Sequence, residues 1–271
     1  MLRLIGALLL GFVGATTATE LPRWSAPEQR DHPRVGLVLE TASGTWIDPQ
    51  ALVQRVASEP YVVIGEKHDN PDHHALQVWL LQQLHAQRPQ ASLLLEMLVP
   101  AQQDAVEAAR DHSAESASAL QQRLDWDRAW PWELYGELVR WGLNEPQWLQ
   151  AANLDREEIR RLYRGEPPSM PEYDAGTRAF LEQTITDAHC GKLPPTQIPA
   201  MLAIQHARDR RMAQVLASAR TPALLVAGSF HARHDLGLPL HWARVRRPMV
   251  IMLVEAGSEL PSAKQADYLW L

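Results

Sequence analysis

Two stretches decide the fold: Tyr61-Val-Val-Ile-Gly65-Glu66-Lys67-His68 and Ala223-Leu-Leu-Val-Ala-Gly228-Ser229-Phe230-His231. Each begins as an unbroken apolar run without polar alternation, the pattern of a strand buried on both faces of a parallel sheet. Each then passes through a glycine into a Gly-x-x-His tetrad. Working outward, Val35–Leu39, Ser92–Leu95, Trp148–Ala151 and Met249–Val254 read as further strands. Helical stretches lie between them. Strands alternating with helices predict an α/β architecture, a parallel-type sheet flanked by helices.

The helices carry their own punctuation. Asn70 is placed to cap a helix that starts at Pro71 and runs to about Arg88, before Pro89. Leu76, Leu80, Leu81 and Leu84 repeat at helical spacing and form its apolar face. A second long helix is expected over Ile198–Ala219, with Pro199 in its first turn and Pro222 stopping it. Between Pro100 and Pro195 only Trp148–Ala151 reads as a strand. The rest predicts a smaller inserted helical sub-domain, roughly 100–147 and 155–195.

Composition narrows the function. A 271-residue chain with 46% hydrophobic and 21% charged residues can bury one large core. A formal charge of −6 without a basic block argues against nucleic-acid binding. Arg3, the apolar run Leu4–Ala15 and the small residues to Ala18 predict an export signal over 1–18 and a mature domain over 19–271. The run is too short for a membrane span of roughly 20 residues. The single cysteine, Cys190, leaves no lipid-attachment cysteine near the start, so a soluble periplasmic protein without an intramolecular disulfide is expected.

The chemistry stands where strands end. Glu66 and His68 follow the first tetrad's strand, Glu96 follows Leu95, Asn153 follows Ala152, and His231 closes the second tetrad. Ligands of open parallel sheets sit beyond the strands' carboxyl ends, so these groups are expected to share one crevice. A single Gly-x-x-His is most simply a loop glycine beside a hydrogen-bonded histidine. Two at equivalent strand ends favour a site. Imidazoles with two carboxylates can hold a metal or move protons, which makes Glu66, His68, Glu96 and His231 the catalytic and metal candidates.

Three further features point towards a cofactor. His73 and His74 lie in the first turn of the helix opened by Asn70, where free N–H groups suit an anion such as a propionate; a merely solvated helix start is the competing reading. Trp126, Trp130, Trp132 and Trp141 could flank a porphyrin, with Arg123, Arg128 and Arg140 beside them, or simply pack on the sheet. Ferric haem in transport proteins often takes a hard phenolate ligand, for which Tyr135, Tyr163 and Tyr173 are the candidates.

An ordered set of motifs resembles one family. Gly65-Glu-Lys-His-Asp-Asn70 with His73-His74, Glu96-Met97, Ala151-Ala-Asn-Leu-Asp-Arg156, His189-Cys-Gly-Lys-Leu-Pro194, Gln205 through Arg208-Asp-Arg-Arg-Met-Ala213, and Gly228-Ser-Phe-His231 with Gly237-Leu-Pro239 are similar to the ChaN-like haem-binding uptake proteins. The match runs from about residue 35 to 255. The family sits in a wider group with Tiki-type metalloproteases and erythromycin esterases, where paired Gly-x-x-His motifs and a glutamate serve the active site. The resemblance implies haem held by tyrosine at a homodimer interface and a role in haem or iron acquisition at the bacterial envelope, alongside an outer-membrane haem receptor or periplasmic haem transport system. It also brings Asn153, Arg156 and His189 into the cofactor-binding set. The alternative is a hydrolase that holds a divalent metal at Glu66, His68, Glu96 and His231, with a metal-bound water as nucleophile. This chain departs from many family members in lacking the anchor cysteine.

Overall fold

The computed structural model describes residues 20–26 and 29–271; the segment read as an export signal lies outside the described residues. In chain order the elements are β1 (Val38–Glu40), β2 (Thr45–Ile47), α1 (Pro49–Val56), β3 (Tyr61–Glu66), α2 (Pro71–Gln87), β4 (Ser92–Leu95), α3 (Gln103–Ala109), α4 (Ala117–Arg123) and α5 (Trp132–Asn144). They continue with β5 (Trp148–Ala151), α6 (Arg156–Arg164), α7 (Ala175–Ala188), α8 (Ile198–Ser218), β6 (Ala223–Gly228), α9 (Ser229–Ala232), β7 (Met249–Leu253) and β8 (Tyr268–Trp270). Among the described residues no helix is long and apolar enough to cross a membrane.

One eight-stranded sheet runs in the order β2-β1-β8-β7-β3-β6-β4-β5. From β8 to β5 every neighbouring pair is parallel, and only β1 runs antiparallel to its neighbours β2 and β8. The two tetrad strands are direct partners. Tyr61 lies opposite Ala223 and Glu66 opposite Gly228. On the other side of β6, Leu95 of β4 lies opposite Val226. That register brings Glu66, Glu96 and the β6 glycine to one rim.

Alternate residues of the apolar strands serve opposite faces, as the pleat requires. Ile64, Leu93, Leu95, Val226 and Ile251 share a core with Leu80 and Leu84 of α2 and Leu138 of α5. Val63, Leu94, Leu225 and Val250 face a second core with Met212 and Leu216 of α8. Both faces are dry, which is why the strands read as continuous runs. Helix α2 is capped as its sequence predicts, with Asn70 accepting from the Asp72 and His73 N–H groups. Its burial extends beyond the leucine stripe to Gln77 and Trp79.

Two edges differ from expectation. The first strand begins at Val38 rather than Val35, because Gly36 adopts φ +84 and its N–H bonds the Leu271 carbonyl, turning the chain before pairing starts. Strands β2 and β8 leave no mark in the sequence pattern. Each has only three residues, too few to show a period, and β8 exists through its neighbours β1 and β7.

Leu93, fully buried between α5 and the sheet, is a direct test of this packing. Leu93→Ala is expected to destabilise the fold by about 2–5 kcal/mol in chemical denaturation.

Candidate functional site at the carboxyl rim of the sheet

Beyond β3, β6 and β4 the protein assembles a buried chain of alternating acids and imidazoles. Glu66 Oε1 lies 2.5 Å from His68 Nδ1, and the Tyr135 hydroxyl donates to the same oxygen at 3.0 Å. His231 Nδ1 lies 2.6 Å from Asp209 Oδ1, and its Nε2 is 3.4 Å from Glu96 Oε1. Glu96 Oε2 accepts the Gly228 N–H at 2.8 Å. Glu66, Glu96 and Asp209 are all but sealed from solvent, whereas the His68 side chain is 44% exposed. The four strand-end candidates therefore meet in one place.

Gly228 explains how the two tetrads approach. A Cβ there would stand 2.8 Å from His68 Nε2, closer than real contacts allow, so glycine is needed for His68 to lie across β6. Gly65 has the same reason: its Cβ would meet that of Ala232 at 2.7 Å. The small residues let the short helix α9 sit directly on β3.

Electrostatics follow from this order. Burial alone would lower the His231 pKa, but Glu96 and Asp209 on either side raise it to about 10, so the ring stays an imidazolium. Burial would raise Glu96; the His231 charge and hydrogen bond, His68 and the Gly228 N–H instead hold it down at about 2. Burial keeps Asp209 above its ordinary range even beside His231. Burial would likewise lower His68, and its bond to Glu66 turns the balance upward. Burial and the adjacent Glu66 push the Tyr135 hydroxyl far up, so it remains a donor. His68, half open to solvent and bonded to Glu66, can take and return a proton; His231 is buried and charged at neutral pH.

The remaining candidates are distributed differently. Asn153 supports the rim from below, donating to the Glu96 carbonyl at 2.9 Å. His73 and His74 are buried and not free to greet an anion: His73 Nδ1 accepts the Lys67 N–H, and His74 Nε2 meets the His68 carbonyl. Burial drops the His73 pKa to about 4, leaving it neutral. Asn70 occupies the helix's leading N–H groups, and Asp72 turns back to Ser25 and Ala26, so the helix start expected to take a propionate is already satisfied. Tyr173 is buried, with its hydroxyl on Asp209 at 3.2 Å. Tyr163 stands 42% exposed on α6. Arg156 is exposed and pairs with Asp127 at 3.0 Å, and His189 ends α7 with Nδ1 on the Ile185 carbonyl. His234 lies past the end of α9 and turns to Asp267, away from the rim.

The tryptophans resolve towards packing. Trp126, Trp132 and Trp141 are core residues, and Trp126 and Trp132 meet edge to face at 5.3 Å. Of the four, Trp130 is the one that approaches the rim, edge-on to His68 at 4.9 Å. Arg123 is held by Glu115, and Arg140 by backbone carbonyls of residues 113 and 115. Asp209 and Gln205 join the rim without standing out in the sequence as site residues. Their spacing of four on α8 places both on one helix face, the signal that could have found them.

The rim does not gather at metal-ligand spacing. Among the described residues, the group of three or more His, Cys, Asp or Glu whose ligand atoms all fall within 4.8 Å of one another is Glu172, His206 and His241. Glu66, His68, Glu96 and His231 are engaged with each other and with Asp209 instead.

Comparison with known proteins bears on the family and the fold. The family model described as haem-binding uptake, Tiki superfamily, ChaN matches residues 52–241, which hold β3, β4, β5 and β6 of the sheet and both tetrads. The chain belongs to the ChaN family. A solved structure described as cofacial heme binding to ChaN of Campylobacter jejuni is 27% identical, covering 86% of this chain and 95% of that one, with a TM-score of 0.74. A mutant of the erythromycin esterase EreC in its open conformation is 11% identical, covering 75% and 72%, with a TM-score of 0.46. No curated protein matches the chain.

The rim of this ChaN-family chain makes a stability prediction. His231 has a folded pKa above its ordinary 6.5, so its contribution is complete below that value and is lost as pH rises towards about 10. Denaturation from pH 6 to 10 should show stability falling by up to about 1.4 kcal/mol per pH unit, a slope that His231→Asn removes. An unchanged slope in the variant would refute the buried imidazolium. The same variant should cost about 3–5 kcal/mol at neutral pH by leaving two carboxylates unpaired.

Proposed function

We propose that this chain is an exported, periplasmic haem-binding protein serving haem or iron acquisition, and that Tyr163 is its iron ligand. Membership of the ChaN family and the likeness to a protein described as binding haem cofacially support the haem reading. One observation carries the ligand. Of the five tyrosines, Tyr61, Tyr135, Tyr173 and Tyr268 are at most 7% exposed, and only Tyr163 presents its ring to solvent. An iron-bound phenolate must shed its proton, and burial beside carboxylates opposes that at Tyr135 and Tyr173, whose hydroxyls are both pushed up.

The surroundings of Tyr163 suit the group. Helix α6, Arg156-Glu-Glu-Ile-Arg-Arg-Leu-Tyr-Arg164, has no buried residue and carries four arginines. Arg160, Arg161 and Arg164 offer charged partners for propionates. Bound haem supplies an iron centre that a hard phenolate oxygen can hold. A surface ligand leaves the porphyrin's other face uncovered, and a second copy of this chain bringing its own haem would cover it. A receptor or transport system at the envelope would then exchange haem with an exposed site more readily than with a sealed one.

The rival reading, a metal-dependent hydrolase built on the rim, has less support because the rim's acids and imidazoles are paired with one another.

Hemin titration is expected to shift the Soret band and saturate near about one haem per chain. Tyr163→Phe should remove the charge-transfer bands of phenolate ligation, while Tyr135→Phe and Tyr173→Phe retain them. An unchanged spectrum on adding hemin to micromolar protein would defeat the haem reading; bands that survive Tyr163→Phe would defeat the ligand. Sizing chromatography of the loaded protein should show a doubled mass that Tyr163→Phe abolishes, and a monomer would rule out the paired arrangement.

A further inference from the structure

We propose that Glu172, His206 and His241 form a second site, one that takes a divalent transition-metal ion of the zinc class and leaves a coordination position open. The three come from separate parts of the chain: Glu172 from the loop between α6 and α7, His206 from the middle of α8, and His241 from the end of a short 3-10 turn, Leu238–His241. Their candidate ligand atoms all lie within 4.8 Å of one another. Glu172 spans both rings, with Oε2 at 2.9 Å from His206 Nε2 and Oε1 at 3.6 Å from His241 Nδ1. The rings themselves stand 4.7 Å apart and nearly perpendicular.

An independent observation points to a ligand. The His241 side chain is 2% exposed, yet neither of its ring nitrogens has a hydrogen-bond partner. Buried polar nitrogens are normally satisfied, and an imidazole sealed against another imidazole and a carboxylate is what a metal site requires.

The donor set selects the ion. Two imidazole nitrogens and one carboxylate oxygen suit zinc and its first-row neighbours; calcium and magnesium prefer all-oxygen shells. Zinc bonds of about 2.0–2.1 Å need the donors drawn slightly together, a movement that Glu172, with its side chain 31% exposed, can make. Three protein ligands leave a fourth position for water or a small anion. A cavity of about 470 Å³ between α6 and α8, lined by His206, Arg161, Arg210 and Arg211, supplies an approach from that side. Arg210 also places a positive charge near His241, which the Glu172 carboxylate offsets.

The site is joined to the rim. Tyr173 packs edge-on against both rings, centroids 5.2 and 6.1 Å away, and its hydroxyl bonds Asp209, the partner of His231.

The test uses the full chain, stripped with a chelator and titrated with Co²⁺, with Zn²⁺ as competitor. One equivalent should produce visible ligand-field bands of a four- or five-coordinate site, displaced by Zn²⁺. Glu172→Gln and His241→Asn should each weaken binding by about a hundredfold or more. Glu66→Gln at the rim and Tyr163→Phe on α6 should leave the Co²⁺ affinity unchanged. Should His241→Asn fail to fold, the partly exposed Glu172→Gln decides the matter alone. Full affinity in Glu172→Gln, loss on Glu66→Gln, or absence of bands at micromolar protein overturns the assignment. The hemin spectrum is a separate readout, so this site and the haem reading stand or fall apart.

Discussion

Charge compensation at the rim is the constraint on which the rest of the structure turns. Three carboxylates, Glu66, Glu96 and Asp209, are removed from water at the end of the same three strands and the helix that covers them. Unpaired, each would be expelled or protonated. They persist because two imidazoles are threaded between them, His68 on Glu66 and His231 bridging Asp209 and Glu96, with tyrosine hydroxyls and a glycine N–H filling further acceptor positions. That alternation demands a parallel register in which β3, β6 and β4 end together. It also demands glycine at 228 so that His68 can cross the strand.

This arrangement separates three kinds of surface. The rim is a paired network in which His68 is half open to solvent and Glu66 Oε2 is left without a hydrogen-bond partner. Helix α6 lies outside the core and presents arginines and one exposed tyrosine to solvent. Beside them, Glu172 and His206 gather around His241, whose side chain is buried and whose ring nitrogens have no hydrogen-bond partner. Physical chemistry divides the labour. A phenolate ligand for ferric haem belongs where its proton can leave, and a buried imidazolium belongs where acids hold it.

Much of the fold is legible locally. Ser92–Leu95 and Trp148–Ala151 can be read to the residue, and so can the Asn70-Pro71 helix start, because capping is a short-range interaction. Strands β2 and β8 cannot, because three-residue edge strands have no periodicity and exist only through pairing. The meeting of Glu66, His68, Glu96 and His231 is readable from strand ends. Asp209 is not, since nothing in a helix's sequence says which buried partner its acid will face. The tyrosines show the same limit. Tyr135, Tyr163 and Tyr173 are equivalent as ligands in the sequence, and only packing distinguishes two buried donors from one exposed ring.

Sequence by itself determined the layered α/β class, the strands that make the sheet's centre and Glu66, His68, Glu96 and His231 at its rim. All of these follow from periodicity and from groups adjacent in the chain. Tertiary structure alone decided which histidine is charged, which tyrosine is open and which imidazole lacks a partner. Those properties depend on burial and on neighbours tens to hundreds of residues away, and a linear pattern carries neither.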